Sequence, residues 1–422
     1  MLSLFKNHSY RRFFAGLLFD DASMMVSPMI QGWIVLMQTD SAFWVGATAG
    51  VSGIGMTLFS PLAGVLIDRY NRKILLIITQ YIQIVLVAFL AIGAFYEVIE
   101  VWHVLVYGFC GGAFHAVRLP CKLAMTLDLV GSKNLLRGTA ANFFSMTVMG
   151  VLAPLAGGWL IDREIYLGFV FMLISLVLSN LIFLNLKNIK SPEMSTSSHL
   201  EDLVYGAKYV ANNKIIRSLI FAILVTEIFG WAVESMLPVI ARDELGLDAR
   251  GLGVLMAVGA LGAAFSTVIM TVMPDVENKG KLVVYGLFGF GVGLITFAFS
   301  DMVILSMVLL GVAYGSGVIY ESGLSTLLQT SVPDEMRGRV LSFQSLCWGF
   351  SGAAGFHAGA IAAILGAPIA VAAGGVVVIS NGIRIAKNML SIGVNQDNKI
   401  CLLYTSDAAD ERSSVDLGGR RI

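Results

Sequence analysis

Hydrophobic and polar positions along this chain alternate as long apolar runs and short polar breaks. A hydrocarbon core of ~30 Å needs about 20 consecutive apolar residues in helical form. Runs of that length cover Phe13–Leu36, Ala42–Ile67, Ile74–Phe95, Val101–Met125, Leu135–Ile161 and Tyr166–Leu186. After a polar stretch come Ile216–Ile240, Leu252–Met273, Leu282–Phe299, Met302–Leu328, Val340–Ala363 and Ala367–Ile385. The pattern predicts an all-α integral membrane protein with twelve transmembrane helices. Its first run is far longer than the apolar region of a signal peptide and lacks a small-residue cleavage site, so it reads as a span.

Composition agrees: 57% of residues are hydrophobic, 13% are charged and 45 are glycine, far from a soluble domain. The 28 basic and 28 acidic residues cancel, which gives no reason to expect a nucleic-acid partner. The expected partners are the lipid bilayer and a small-molecule substrate, with the chain acting as a monomer. Most of the 28 Lys and Arg fall in alternate loops, for example Lys6, Arg11 and Arg12, then Arg69, Arg72 and Lys73, then Lys122, Lys133 and Arg137. Basic loops stay in the cytoplasm, so both termini are expected there, in a bacterial inner membrane.

An internal repeat is also legible. Gly108, Gly112 and Arg118 are echoed by Gly311, Gly315 and Glu321, Gly50 and Gly53 by Gly259 and Gly262, and Pro28 by Pro238. Two parallel-repeat six-helix bundles are the expected architecture. The boundaries read as a bundle over 1–186, a cytoplasmic linker over 187–215 with an amphipathic helix near 201–210, and a second bundle over 216–390. Residues 399–422 break from this composition and resemble translated adapter read-through, so they are read as a non-native tail.

Two loops carry a more specific signal. Gly64-Val65-Leu66-Ile67-Asp68-Arg69-Tyr70-Asn71-Arg72-Lys73 and Val332-Pro333-Asp334-Glu335-Met336-Arg337-Gly338-Arg339 resemble the loops of the major facilitator superfamily of secondary transporters. Asp21, Ala116-x-x-x-Pro120-x-Lys122 and Ala153-Pro154-Leu155-Ala156-Gly157-Gly158 extend the likeness over residues 1–385, toward the enterobactin-exporter-like bacterial efflux branch. The resemblance implies the major facilitator fold and alternating access. It also implies a cytoplasmic gate of Gly64, Asp68, Arg69, Arg72, Lys73 and Lys122 with Asp334, Arg337, Gly338 and Arg339, and close helix packing at Pro154, Gly157 and Gly158. Asp68 is expected to pair with Lys122. Asn71 stands where the family has Gly and is expected to keep a left-handed turn. The matching loop of the second half, over 274–281, keeps charge without the motif order, so the gate is expected to be asymmetric.

Ionisable residues within spans are costly and mark function or a structural ion pair. Asp20 and Asp21 lie in the first span. Arg118 and Glu321, at equivalent repeat positions, are expected to face each other across a cavity, with Arg118 contacting an anionic group of the substrate. Glu227 and Glu234 are seven apart and expected on one helix face, and His115 shares a face with Arg118. The substrate and proton pathway is therefore read as Asp21, Arg118, Glu227, Glu321 and His115, with Asp21 first in line for the proton.

No Gly-x-x-x-x-Gly-Lys-Ser/Thr loop occurs, and neither metal nor other cofactor is expected. Cys110, Cys121, Cys347 and Cys401 show no metal-ligand spacing. The function expected is secondary active transport on a proton gradient, as efflux of a siderophore, drug or other amphipathic compound. Uptake of a sugar, organic anion or lysophospholipid remains open. So does a non-transporting scaffold or an intramembrane enzyme, although Ser351 and His357, six apart on one helix, point to different sides.

Overall fold

The computed structural model describes residues 4–186, 199–272 and 279–392. Among them are twelve helical segments long and apolar enough to cross a membrane, matching the twelve runs of the sequence. The helices extend a few residues past those runs because polar residues cap them. Asn7, for example, accepts from the backbone N–H groups of Ser9 (3.0 Å) and Tyr10 (3.3 Å), which satisfies donors that a helix start leaves free. The proposed tail over 399–422 and part of the linker, 187–198, lie outside the described residues.

The first six spans are α1 (His8–Thr39), α2 (Ala42–Arg69), α3 (Arg72–Phe95), α4 (Val101–Val130), α5 (Leu135–Ile161) and α6 (Ile165–Leu184). An intervening helix, α7 (His199–Asn212), leads to the second set. That set comprises α8 (Lys214–Phe229) with α9 (Val233–Val239), α10 (Ala249–Val272), α11 (Lys279–Ala298), α12 (Val303–Thr330), α13 (Asp334–Ala353) with α14 (Gly355–Leu365), and α15 (Ala367–Ile392). Two spans are thus discontinuous. The seventh breaks at Gly230–Ala232 and, past Pro238, widens into a π turn over Ile240–Glu244. There the Leu245 N–H reaches back to the Ile240 carbonyl. Proline without an N–H and an inserted π turn are standard causes of such bends.

Within each half the repeat has a physical basis. In α2 and α4, a Cβ on Gly112 would lie 1.9 Å from the Ser52 carbonyl oxygen; in α10 and α12, a Cβ on Gly262 would lie 2.0 Å from that of Gly311. Both seams let backbones touch where lipid supplies no hydrophobic driving force. The halves meet through α2 against α13 and α14, α5 against α10, and the α9 region against α1 and α2. Their close backbone approaches, Gly46 to Gly355, Gly53 to Ala353 and Gly253 to Pro154, run from the end of the bundle opposite the chain's N-terminus toward its middle.

Asn71 departs from expectation. Its φ of −63° and ψ of 119° are extended, and its side chain caps α3 by accepting from the N–H groups of Lys73 (3.0 Å) and Ile74 (3.4 Å). The residue keeps the turn by capping the next helix, which glycine cannot do with a side chain.

Candidate functional site

Charges in the first half's spans fold into one closed network. Asp20 and Asp21 sit a third of the way along α1, and Arg118 and Lys122, one turn apart on α4, meet them. Arg118 Nη1 donates to Asp20 Oδ1 at 2.8 Å. Lys122 Nζ bridges the two aspartates, contacting Asp20 Oδ2 and lying 2.9 Å from Asp21 Oδ1. Neutral groups complete the shell: Gln80 donates to Asp20 Oδ1 (2.8 Å) and to Ser179 Oγ (2.9 Å), and Ser145 donates to Asp21 Oδ2 (2.6 Å). Two cations and two carboxylates, all nearly buried, cancel in a medium where an isolated charge is very costly. The network ties α1, α3, α4, α5 and α6 together.

Two sequence expectations change here. Arg118 bonds to Asp20 on its own half instead of facing Glu321, because α1 packs beside α4 and offers a nearer carboxylate. Lys122, expected at Asp68, is engaged by Asp20 and Asp21 for the same reason. His115, one turn before Arg118, lies in the field of Arg118, Lys122 and Asp20.

The second half carries the opposite arrangement. Glu227, near the end of α8, is buried, and its Oε1 has no hydrogen-bond partner. Glu234 follows the break in the seventh span, so the two do not continue along one helix face as expected. Even so, Glu227, Glu234 and Glu321 of α12 are electrostatic neighbours. Glu234 is solvent-accessible although it lies deep in the bundle, as a side chain lining an open cavity would be. Among the described residues none of the three forms a salt bridge. Tyr314, in the field of Glu234, belongs to an aromatic cluster: Trp231 makes a T-shaped contact with it at 5.3 Å between ring centroids and is tilted against Phe290 at 5.0 Å. Tyr314 and Tyr320 are both buried, and the Tyr314 hydroxyl lacks a hydrogen-bond partner among the described residues.

At the bundle's terminus end, the expected gate cations serve their own half. Arg72 pairs with Asp128 of α4 (2.8 Å), and Lys73 caps the end of α6 through the carbonyls of Leu184 (3.0 Å) and Leu186 (2.6 Å). Arg69 is exposed, and a Cβ on Gly64 would meet nothing within 4 Å. The side chains of Asp68, Asp334, Arg337 and Arg339, with Gly338, lie outside the described residues.

The opposite end is fastened by pairs that sequence reading treated only as topology. Arg242 pairs with Asp40 and donates to the Leu36 carbonyl at 3.3 Å; Arg250 pairs with Asp162 at 2.5 Å. Both cross from one half to the other. Beneath them, Gly158 and Gly253 let α5 and α10 touch: a Cβ on Gly253 would lie 2.3 Å from the Pro154 carbonyl oxygen. Gly157 instead packs within the first half, where its Cβ would lie 2.2 Å from Val26 Cγ2. A usable signal for this latch was the presence of acid–base complements, Asp40 with Arg242 and Asp162 with Arg250, on the side otherwise poor in cations.

Comparisons with known proteins agree with this architecture. The enterobactin exporter EntS of Shigella flexneri is 24% identical over 341 residues, 80% of this chain and 81% of the relative. That of Escherichia coli O1:K1 is 24% identical over 342 residues, 80% and 82% of the two chains. Among solved structures, the nucleoside transporter NupG superposes with a TM-score of 0.72 at 11% identity, covering 91% of this chain and 99% of that one. A bacterial homologue of the iron transporter ferroportin, in its inward-facing state, gives 0.65 at 16%, covering 89% and 98%. The family model described as Major Facilitator Superfamily matches residues 12–356, and with its twelve spans in two six-helix halves the chain belongs to that superfamily.

Proposed function

We propose that this chain is a proton-coupled secondary transporter of the bacterial inner membrane, both termini cytoplasmic, that exports an amphipathic small molecule by alternating access. One observation carries the reading. Among the described residues, the ion pairs that join the halves, Arg242–Asp40 and Arg250–Asp162, lie with the α5–α10 seam at one end, above mid-bundle carboxylates that form no salt bridge with a described residue. A pair of parallel repeats that rock about a central site needs such an end-specific closure. With the termini cytoplasmic, this is the inward-facing state. The gate of Asp68, Arg69, Arg72 and Lys73 with Asp334, Arg337 and Arg339 would then close the other end in the opposite state, freeing Arg72 and Lys73 from their present partners.

The geometry moves the proton role toward Glu227 and Glu321. Asp21 is held by Lys122 and Ser145, so protonating it breaks a buried pair, whereas protonating Glu227 removes an uncompensated charge. Export is supported by the relatives named as enterobactin exporters. The test is proton movement in inverted vesicles containing the protein and loaded with acid, challenged with siderophores, dyes and lipophilic drugs. Substrate-triggered proton release is expected. Substrate-driven movement with no proton release, in vesicles that hold their gradient, overturns proton antiport.

A further inference from the structure

Charge bookkeeping across the middle of the bundle separates the two halves. Among the described residues, Arg118 and Lys122 are the cations lying well inside spans, Arg384 is exposed near the end of the twelfth, and each is already engaged. Arg118 and Lys122 are bound by Asp20 and Asp21. Arg384 donates to Asn381 Oδ1 (3.0 Å) and lies over the Phe221 ring at 4.7 Å. An anionic substrate would therefore find no uncommitted cation there and would meet Glu227, Glu234 and Glu321 instead.

The three carboxylates present the complementary case. Within a bilayer, grouped carboxylates without counter-ions are stable only with protons or with a cation between them. They do not stand alone as a signal, since the buried hydroxyl of Tyr314 is also unpartnered among the described residues, and both it and Tyr320 lie in the field of the same carboxylates, Tyr314 near Glu234 and Tyr320 near Glu227 and Glu321. Trp231 adds an electron-rich ring beside them, and such faces attract organic cations most strongly when water is excluded. Soft, weakly hydrated cations benefit most, because the bundle strips little hydration from them.

Resting on the transporter reading above, we propose that the substrate is a lipophilic organic cation, held by Glu227, Glu234 and Glu321 against the Trp231–Tyr314 aromatic wall. A substrate of this charge separates the chain from carriers that hold acidic ligands on free arginines.

The experiment uses the full chain in nanodiscs, with radiolabelled tetraphenylphosphonium as the cation, neutral triphenylphosphine oxide as its isostere and 2,3-dihydroxybenzoate as an anion. Saturable phosphonium binding is expected, displaced by neither of the other two. It should weaken at least tenfold in Glu227→Gln and Glu321→Gln, and in Trp231→Leu but less in Trp231→Phe, with melting temperatures showing that each variant is folded. Should a glutamine variant fail to fold, the tryptophan pair and isostere competition still decide. Phosphonium binding that is unsaturable, or unchanged in the folded variants, overturns the proposal. So does saturable 2,3-dihydroxybenzoate binding or 2,3-dihydroxybenzoate-driven proton release without any response to phosphonium, and that outcome leaves the transporter reading intact. Glutamate-dependent phosphonium binding with phosphonium flux but no proton movement in vesicles sustains the substrate assignment and removes the proton coupling instead.

Discussion

Replacing Lys122 by Met tests whether the first half's buried charges stand or fall together. The substitution keeps side-chain length and removes one charge from a network of two cations and two aspartates. Side-chain exposure there is 10% at Lys122 and 1% and 4% at Asp20 and Asp21. At the 2.9 Å separating Lys122 Nζ from Asp21 Oδ1, an effective dielectric of about 20 gives roughly 6 kcal/mol of attraction before desolvation is subtracted. Breaking one partner out of a buried pair costs about 3–5 kcal/mol. The chain has one escape, which is to protonate an aspartate; from an ordinary carboxylate pKa near 3.9 this costs about 4 kcal/mol at pH 7. The two routes converge, so Lys122→Met should destabilise by about 4 kcal/mol. Combining it with Asp21→Asn restores neutrality and should return about half of that, leaving mainly lost hydrogen bonds of about 1–2 kcal/mol. Thermal melts in nanodiscs for the parent, both single variants and the double variant close the cycle. A Lys122→Met protein that melts within a degree of the parent, or a double variant no more stable than Lys122→Met alone, would refute the charge-balance argument.

Three further outcomes follow from other parts of the fold. Arg242→Gln combined with Arg250→Gln should loosen the latched end; these pairs are partly exposed, so each contributes about 1 kcal/mol or less, and the open population should rise by about thirtyfold or less. Distances between spin labels at Glu164 and Glu244, measured in low and high salt, read this directly, and a distribution identical to the parent's at low salt counts against a latch. Asn71→Ala should cost about 1 kcal/mol and Asn71→Gly only a few tenths; a glycine variant that melts above the parent would instead indicate a left-handed backbone at this position. Asp68→Asn should lower transport at least tenfold while leaving expression and melting temperature unchanged, and full transport by this variant removes Asp68 from the gate.

Fold was legible in the sequence because the bilayer imposes a rule on composition that needs no tertiary information. Every backbone group inside it must bond within its own segment, so each apolar run such as Ile74–Phe95 or Leu135–Ile161 is a helix wherever it packs. Breaks within a run were harder to see. Gly230 and Pro238 are present in the seventh span, yet isolated Gly and Pro also occur in unbroken helices here, Pro28 in α1 and Pro120 in α4 among them. Whether such a residue breaks a helix depends on whether neighbouring groups satisfy the freed carbonyls, and that is decided by packing.

Counter-ion choice failed for the same reason. Repeat equivalence sets Arg118 and Glu321 at matching positions of α4 and α12. But equivalence under a parallel repeat relates two environments and does not bring them together. Arg118 takes the nearest carboxylate that its own half provides, Asp20, and Lys122 takes the remainder. The neutral partners that make this arrangement affordable, Gln80, Ser145 and Ser179, sit singly in apolar runs, where each resembles the helix-packing polar residues common in membrane spans. Glu321 has the Trp348 indole as a neutral partner and, among the described residues, no cation, and it stands beside two more carboxylates. The two halves therefore differ in charge while sharing the same kind of backbone seam, Gly112 on Ser52 and Gly262 on Gly311. Close backbone packing tolerates almost no substitution, whereas a side chain facing a cavity can change sign without moving a helix, and it is the latter freedom that sets what the site can hold.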